Sequence, residues 1–181
     1  MTKKNTKRED ILYAAAKIIT SESVSKFTLE NVAKKAKVSK GGLLYHFPNK
    51  ESIIQGMLEV PMEHYHSSIL NYIEKDSNGN GKWCRAYARE SFMIPEDMKL
   101  LWMAGLISAL SINPKLLEPL RKRFKTWQKN IENDGIDPIK ATNIRLIADG
   151  LWFLDLFDIP IINEEMKENI IDSILDDTRD S

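Results

Sequence analysis

Residues 39–47, SKGGLLYHF, combine hydrogen-bond donors with two adjacent glycines near the start of a short predicted helix. Lys40 can donate to guanine O6 and N7 or to a phosphate, and Tyr45 and His46 carry polar atoms on flat rings. Glycine costs a helix about 1 kcal/mol relative to alanine, but without a β-carbon it lets the backbone approach a ligand closely. The same glycines would also suit a tight turn or a helix–helix contact. These residue types favour contact with DNA.

The charge of the chain is unevenly distributed, although its net value is zero. Residues 1–50 hold 11 Lys and Arg against 4 Asp and Glu and carry +7, whereas residues 51–181 hold 15 against 22 and carry −7. A basic segment attracts a polyanion, although basic N-termini also serve as solubilising tails. The charge therefore agrees with a nucleic-acid partner for the first 50 residues.

Hydrophobic spacing predicts helices in every long segment and no strand, so the predicted fold class is all-α. Nine helices are expected, at 8–22, 29–36, 39–47, 50–75, 82–93, 96–112, 114–133, 138–158 and 164–177. Helices two and three have the length and spacing of a helix-turn-helix. Pro61 falls inside the fourth helix, where it removes a backbone hydrogen bond, so we expect a kink and a hinge there. The stretch 76–81, DSNGNG, is predicted to be a linker.

The segment 27–54, FTLENVAKKAKVSKGGLLYHFPNKESII, resembles the N-terminal signature of the TetR (tetracycline-repressor-like) family of bacterial transcription regulators. The likeness covers about residues 8–60. It implies a helix-turn-helix DNA-binding domain at residues 1–50 and a helical-bundle domain for ligand binding and dimerisation at residues 51–181. It implies DNA contacts at Thr28, Ser39, Lys40, Gly41, Gly42, Leu44, Tyr45, His46 and Lys50.

Two residues depart from the family pattern. Leu44 stands where many relatives have tyrosine, so an apolar contact, for example to a thymine methyl group, replaces a polar one. Lys37 stands at a turn position where relatives commonly have glycine, and we therefore expect a left-handed backbone there at a cost of about 1 kcal/mol. Neither departure removes the motif, but both affect the DNA sequence that would be recognised.

Aromatic and methionine side chains in the second part of the chain could line a pocket for a hydrophobic ligand. They are Tyr65, Phe92, Met93, Met98, Trp102, Met103, Phe124, Trp127, Trp152 and Phe153. For any one of them, ordinary core is the commoner role, and it is as a group that they indicate a pocket. An acidic neighbour such as Asp149, Glu90 or Asp97 would suit a cationic ligand through charge pairing and cation–π contact. The family resemblance implies that such a pocket binds an inducer.

The last two predicted helices present more apolar surface than a monomer could bury, which predicts a homodimer formed through them. Two recognition helices about 34–36 Å apart, or a multiple of that spacing, can read a palindromic operator in double-stranded DNA. The predicted function is thus a ligand-responsive transcription regulator. Repression is the family's commoner mode, so the resemblance implies a repressor that a hydrophobic small molecule releases from DNA. An acidic residue in the pocket would allow that molecule to be cationic. The sequence itself does not distinguish a repressor from an activator.

An enzymatic function is the alternative. Glu63 and His66 form one Glu-x-x-His pair, which could ligate a metal in a helical-bundle metalloprotein or enzyme, but a di-iron site needs a second pair and two more carboxylates. No phosphate-binding loop, zinc-type cysteine set or nucleophile elbow occurs, so we expect no catalytic residue, metal or cofactor. With no membrane-spanning run and one cysteine, Cys84, the expected location is the cytoplasm.

Overall fold

A computed structural model of the chain describes residues 6–159 and 161–178. Within these residues the fold consists of α-helices and two short 3₁₀ turns, with no strand. The helices are α1 Lys7–Ser21, α2 Leu29–Lys35, α3 Lys40–His46, α4 Lys50–Lys75, α5 Lys82–Ser91, α6 Glu96–Ile112, α7 Glu118–Glu132, α8 Pro138–Leu156 and α9 Glu164–Asp177. The all-α prediction with nine helices is confirmed; the predicted seventh helix begins instead as a 3₁₀ turn, Pro114–Leu117.

Local side-chain caps fix most of the helix starts that the sequence predicts. The capping oxygen accepts a hydrogen bond from a backbone N–H two or three residues further on at Thr28, Asn49, Asn113, Asp137 and Asn163. A cap satisfies one of the backbone donors that a helix start leaves without a partner, and is typically worth about 1 kcal/mol. These caps explain why the predicted starts of α2, α4, α8 and α9 agree with the observed ones.

The described chain forms two compact units. The first contains the chain up to Met62 together with Pro95–Arg121, so α6 belongs with the three N-terminal helices and the first half of α4. α6 packs along α1, and it approaches α4 closely at Gly105, where a β-carbon would lie 2.9 Å from Leu58 Cδ2. Two hydrogen bonds tie the ends of α6 to this unit: Tyr13–Asp97 at 2.8 Å and Asn113–Glu51 at 2.9 Å.

The second unit contains Glu63–Ile94 together with the chain from Lys122 onward, and in it α5 packs against α8 and α9. The predicted linker at 76–81 is held by Arg85, which is fully buried on α5. Arg85 Nε lies 2.7 Å from Asp76 Oδ2, and Arg85 Nη1 donates to the carbonyl of Thr178 at 2.9 Å. The linker is therefore fixed by one buried guanidinium group.

α4 is continuous through Pro61, and its residues are divided between the two units after Met62. The division lies next to the proline that was predicted to be a hinge; the kink itself stays a prediction. The predicted boundary at residue 50 separates functions rather than packing units, and it also stays a prediction. No helix in residues 6–159 and 161–178 has both the length and the apolar character needed to cross a bilayer.

Candidate nucleic-acid interface

α3 is anchored by two apolar residues and presents its remaining face to solvent. Leu43 and Phe47 are 0% and 2% exposed, and they hold the helix in the first unit. On the other side Tyr45 is 86% exposed and Leu44 is 38% exposed. Burying an aromatic ring is favourable, so a ring left this open does not serve the packing of its own chain. This side of α3 is available for a partner.

The two glycines of α3 have different surroundings. A β-carbon at Gly41 would meet nothing within 4 Å, whereas one at Gly42 would lie 3.2 Å from Ser39 Oγ. Ser39 Oγ accepts a hydrogen bond from the Gly42 N–H at 3.0 Å and so caps the helix. Gly42 is therefore adjacent to its own cap. Gly41 has no packing role within the described residues, which is what close approach of a partner would require.

The cationic side chains at this face are present, but one of them already has a partner. Lys40 Nζ lies 2.7 Å from Glu30 Oε1, and this lysine holds the pKa of Glu30 below its usual value. Lys50 Nζ lies 5.7 Å from the centre of the Phe27 ring, a cation–π contact. His46 is half-buried and packs edge-on against Tyr45 at 5.1 Å.

The turn between α2 and α3 has the backbone geometry that the sequence predicts. Lys37 has φ = 55°, in the left-handed region, so the expected left-handed backbone is confirmed. Thr28 uses its hydroxyl oxygen as the α2 cap, which leaves its hydroxyl hydrogen free to donate elsewhere. All of the predicted DNA-contacting residues, from Thr28 to Lys50, belong to the first unit. Sequence reasoning missed Glu30, because its pairing with Lys40 depends on the packing of two helices.

In the second unit, four of the predicted pocket residues lie in one aromatic cluster. The centre of the Trp127 ring lies 5.2 Å from that of Tyr65 and 5.2 Å from that of Phe124. Tyr87 joins them at 5.5 Å from Tyr65 and 5.9 Å from Trp127. Asp149, the fourth, reaches the cluster through Tyr87, whose hydroxyl donates to Asp149 Oδ1 at 2.5 Å.

Arg145 supplies the cluster with its own cation. Its guanidinium carbon lies 5.2 Å from the centre of the Tyr87 ring and 5.4 Å from that of Phe124. It donates to the Phe124 carbonyl at 3.0 Å and to Gln128 Oε1 at 2.9 Å, and its Nε lies 3.3 Å from Asp149 Oδ2. The negative charge of Asp149 is thus already balanced by Arg145 within the chain. Tyr87 and Arg145 were missed because their α5 and α8 positions show no pattern that separates them from other core-facing residues.

Burial raises the pKa of both tyrosines in the cluster. Desolvation is the largest cause at Tyr65 and Tyr87, and nearby negative charge adds to it. The Tyr65 hydroxyl donates to the Tyr87 carbonyl at 2.8 Å. Both phenols therefore stay neutral donors, which keeps the polar atoms of this apolar cluster satisfied.

The other predicted pocket residues lie elsewhere. Met98, Trp102 and Met103 are on α6 in the first unit, with Trp102 buried. In the second unit Met93 and Phe153 are 57% and 52% exposed. Phe153 packs against Phe157 at 4.8 Å, Phe92 lies 5.6 Å below Lys167 Nζ, and Trp152 is half-buried.

Of the acidic candidates for a cationic ligand, Asp97 accepts the hydrogen bond from Tyr13. Glu90 lines an open groove of about 630 Å³ together with Tyr72 and Arg89, and burial raises the pKa of its carboxyl group. Asp97 also borders an open groove, of about 600 Å³, but its carboxylate accepts the hydrogen bond from Tyr13, and Asp149 is hydrogen-bonded to Tyr87.

The Glu-x-x-His pair on α4 has partners within the chain. Glu63 forms an ion pair with Arg123, and Trp127 Nε1 donates to His66 Nδ1 at 3.1 Å. Burial and the nearby Arg123 lower the pKa of His66. In the described part of the chain, no three His, Cys, Asp or Glu side chains gather in a metal-binding arrangement. Both residues therefore act in the packing of α4 against α7.

α8 and α9 share an exposed apolar face. Ile139, Leu146, Ile147 and Met166 are 73%, 62%, 45% and 50% exposed. Between the two helices runs a groove of about 570 Å³, lined by residues that include Ile144, Ile147, Met166, Ile170 and Ile174. An exposed apolar face of this kind is typical of a protein interface.

Comparison with known proteins agrees with both parts of this structure. The family model described as bacterial regulatory proteins, tetR family, matches residues 11–57, and the tetracyclin repressor-like C-terminal domain model matches residues 81–179. The nucleoid occlusion factor SlmA of Marinomonas sp. (strain MWYL1) is 33% identical over 76 residues, 42% of this chain and 39% of that protein. The match thus spans about two fifths of that relative's length.

Solved structures share the fold over nearly the whole chain. A transcriptional regulator from Rhodococcus sp. Rha1 is 19% identical, with 96% of each chain covered and a TM-score of 0.69. The TetR family transcriptional regulator PfmR from Thermus thermophilus is 16% identical, with 92% of this chain and 97% of that chain covered and a TM-score of 0.67. At these identities the likeness is one of fold.

Proposed function

The chain belongs to the TetR family of bacterial transcription regulators, and from this premise we propose that it is a repressor that a small molecule releases from a palindromic operator. Members of this family bind DNA, respond to ligands and form dimers, and in general they are not enzymes. The proposal adds a mode of action, an operator type and a ligand class. Its site of action is the bacterial cytoplasm.

The observation that carries the proposal is the solvent-exposed face of α3. Leu43 and Phe47 hold the helix from behind, while Tyr45 stands exposed in front. Gly41 leaves open space beside the backbone. A recognition helix needs this arrangement, because its inner face must fix its orientation while its outer face enters the major groove.

A homodimer formed through the apolar face of α8 and α9 would allow the protein to bind a palindromic DNA sequence. A two-fold interface brings the same surface of both subunits together, which suits the groove and the exposed residues around Ile147 and Met166. Two α3 helices related by this symmetry would meet two half-sites of opposite orientation. The operator is accordingly proposed to be an inverted repeat.

The aromatic cluster around Trp127 is the proposed ligand site. Tyr65, Tyr87 and Trp127 are at most 3% exposed, so a ligand has to displace side chains that now touch. A hydrophobic ligand would replace ring contacts, and a cationic one would compete with Arg145 for Tyr87, Phe124 and Asp149. Either displacement changes a cluster to which α4 contributes Tyr65.

Release from DNA would follow through α4. The helix that carries Tyr65 begins at Lys50, directly after the recognition helix and its Pro48–Asn49 connection. A ligand that prefers one arrangement of the cluster shifts the population of α4 conformations, with Pro61 as the proposed hinge. A coupling of about 1–3 kcal/mol corresponds to about 5- to 150-fold weaker operator binding.

Selection of binding sites from a random pool of duplex DNA tests the proposal. The recovered sites should contain an inverted repeat, and binding should weaken with salt. Lys40→Ala and Lys50→Ala should each lower the slope of log affinity against log salt by about 0.9 if each contacts one phosphate. Lys75→Ala, at an exposed position outside this face, is the matched control. Absence of binding to any duplex at low ionic strength would refute the proposal.

A further inference from the structure

The outer face of α7 carries a row of lysines, Lys122, Lys125 and Lys129, which we call the lysine stripe. Steps of three and four residues place all three on one side of the helix. All three are exposed, while Trp127 and Ile131 are fully buried on the opposite side. Residues 115–129 hold 6 Lys and Arg against 1 acidic residue, in a part of the chain that is acidic overall.

The lysine stripe has no ionic partner among the described residues, although the arginines beside it do. Arg121 lies 3.7 Å from Glu118, and Arg123 pairs with Glu63. Like charges three and four residues apart repel each other and destabilise a helix. A row of lysines without ionic partners among the described residues therefore points to an anionic partner outside the chain.

α9 carries a matching row of carboxylates, Glu165, Glu168 and Asp172, which we call the acid stripe. All three are exposed, and in residues 6–159 and 161–178 none of them has an ion pair. Lys167, the one lysine of α9, is engaged with Asp155 and Glu164. The acid stripe is offset by one or two residues from the groove-lining positions of α9, and it therefore lies on a different side of the helix from the apolar groove.

We propose that the lysine stripe of one copy of this chain binds the acid stripe of another copy. Both rows have the same spacing, three and then four residues, so parallel helices would pair Lys122 with Glu165, Lys125 with Glu168 and Lys129 with Asp172. With a helical rise of about 1.5 Å per residue, both rows place their charges about 4.5 Å and then about 6 Å apart along the axis. The charges are opposite in sign at every step.

This contact differs from a two-fold dimer interface, because two different surfaces meet. Such heterologous contacts link copies into an open chain unless the rotation closes a ring. Exposed ion pairs are individually weak and are screened by salt. The contact should therefore form at high protein concentration and low ionic strength, and it should be favoured when copies are held on neighbouring DNA sites.

Sedimentation velocity of the full chain without DNA tests the contact. The Debye length is about 10 Å at about 0.1 M ionic strength and about 3 Å at about 1 M, so measurements at these two values compare weak with strong screening. We expect assemblies larger than a dimer at the lower ionic strength that dissociate at the higher one. Lys125→Glu and Glu168→Lys should each weaken this assembly about tenfold, because each turns a central attraction into a repulsion.

Charge exchange separates a specific contact from a general effect of net charge. A chain that carries both Lys125→Glu and Glu168→Lys should assemble like the unchanged chain. Lys75→Glu changes the net charge as Lys125→Glu does, but at an exposed site outside the stripe, and should leave assembly unchanged. Circular dichroism confirms that the variants fold.

Three outcomes would overturn the proposal. They are an absence of salt-sensitive assembly, an insensitivity to Lys125→Glu, and a failure of the double exchange to restore assembly. A non-specific duplex that loses affinity for Lys125→Glu, in protein that does not assemble, would assign the lysine stripe to DNA instead. These readouts use protein alone or a non-specific duplex, so they do not depend on the proposed operator or ligand.

Discussion

Lys40 and Glu30 form an ion pair between α3 and α2, with Nζ and Oε1 2.7 Å apart. Both side chains are more than half exposed, at 62% and 65%. The Glu30 carboxylate therefore accepts from the same ammonium group that would donate to a phosphate or a guanine edge in a complex with DNA. In the proposed complex Lys40 would therefore exchange the Glu30 carboxylate for an acceptor on the DNA, so that Glu30 would compete with the DNA for this lysine.

Replacing Glu30 should strengthen DNA binding. In Glu30→Gln the competitor is neutral, so Lys40 is free for the nucleic acid, and we expect about two- to fivefold tighter binding at low salt. Fluorescence anisotropy with a labelled duplex measures the change. Glu22→Gln is the matched control, because Glu22 pairs with Lys35 at 3.4 Å and its loss changes the net charge equally. Equal gains in both variants would show that net charge, rather than release of Lys40, is responsible.

Gly41→Ala should stabilise the protein and weaken its binding to DNA. The new β-carbon meets nothing within 4 Å, so the fold should gain about 0.5–1 kcal/mol from helix propensity and reduced freedom of the unfolded chain. In the complex the same methyl group would stand between α3 and the duplex. Urea unfolding and duplex titration give the two readings. Unchanged DNA affinity together with the gain in stability would place Gly41 outside the contact.

The extent of prediction from sequence differs between local and tertiary features. The starts of α2 and α9 depend on the local caps Thr28 and Asn163, and hydrophobic spacing predicts both starts correctly. The left-handed turn at Lys37 agrees with the expectation from the family pattern. The pairing of Lys40 with Glu30 depends on the angle between two helices. The position of Arg145 among aromatic rings depends on three helices meeting, and no local pattern encodes it.

Tyr87→Phe should reduce the free energy of unfolding by about 1.5 kcal/mol. The variant removes the 2.5 Å hydrogen bond from the Tyr87 hydroxyl to Asp149, a bond to a charged acceptor. The lower end of the usual range is expected because the Asp149 side chain is 32% exposed and water can replace the donor. Tyr72→Phe, at a half-buried ring whose hydroxyl has no hydrogen bond to the described residues, should stay within about 0.5 kcal/mol in urea unfolding.

Stability should fall when His66 is protonated. Burial, and then Arg123, lower its pKa in the folded state, whereas the unfolded value is about 6.5. The unfolded chain therefore binds the proton more tightly, so the free energy of unfolding decreases as the pH drops through about 6.5 and levels off below the folded pKa. A protonated ring also cannot accept the Trp127 hydrogen bond.

Urea unfolding at about pH 8 and about pH 5.5 measures the His66 effect, because the two values bracket the unfolded pKa. His66→Gln should show a smaller loss of stability between them than the unchanged chain. His46→Gln, which leaves both the Trp127–His66 bond and the His64 charge near Glu90 in place, is the control. The two variants are compared with each other because Glu90 and Asp134, whose pKa values burial raises, are present in both. An equal pH dependence in both would exclude His66 as its source.

Ile147→Glu should produce a folded monomer with weak operator binding. Ile147 is 45% exposed and lines the groove between α8 and α9, so a carboxylate there would be buried without a partner in a two-fold interface. Loss of the dimer removes simultaneous contact with two half-sites, which should lower affinity for a selected inverted repeat by about 10²-fold or more and leave half-site affinity unchanged. Leu110→Glu introduces the same charge at a 63% exposed position on α6 and should keep the dimer. Light scattering coupled to size exclusion measures the oligomeric state, and titration with the inverted repeat and the half-site measures DNA affinity. A persistent dimer in Ile147→Glu would show that the interface is not formed by α8 and α9.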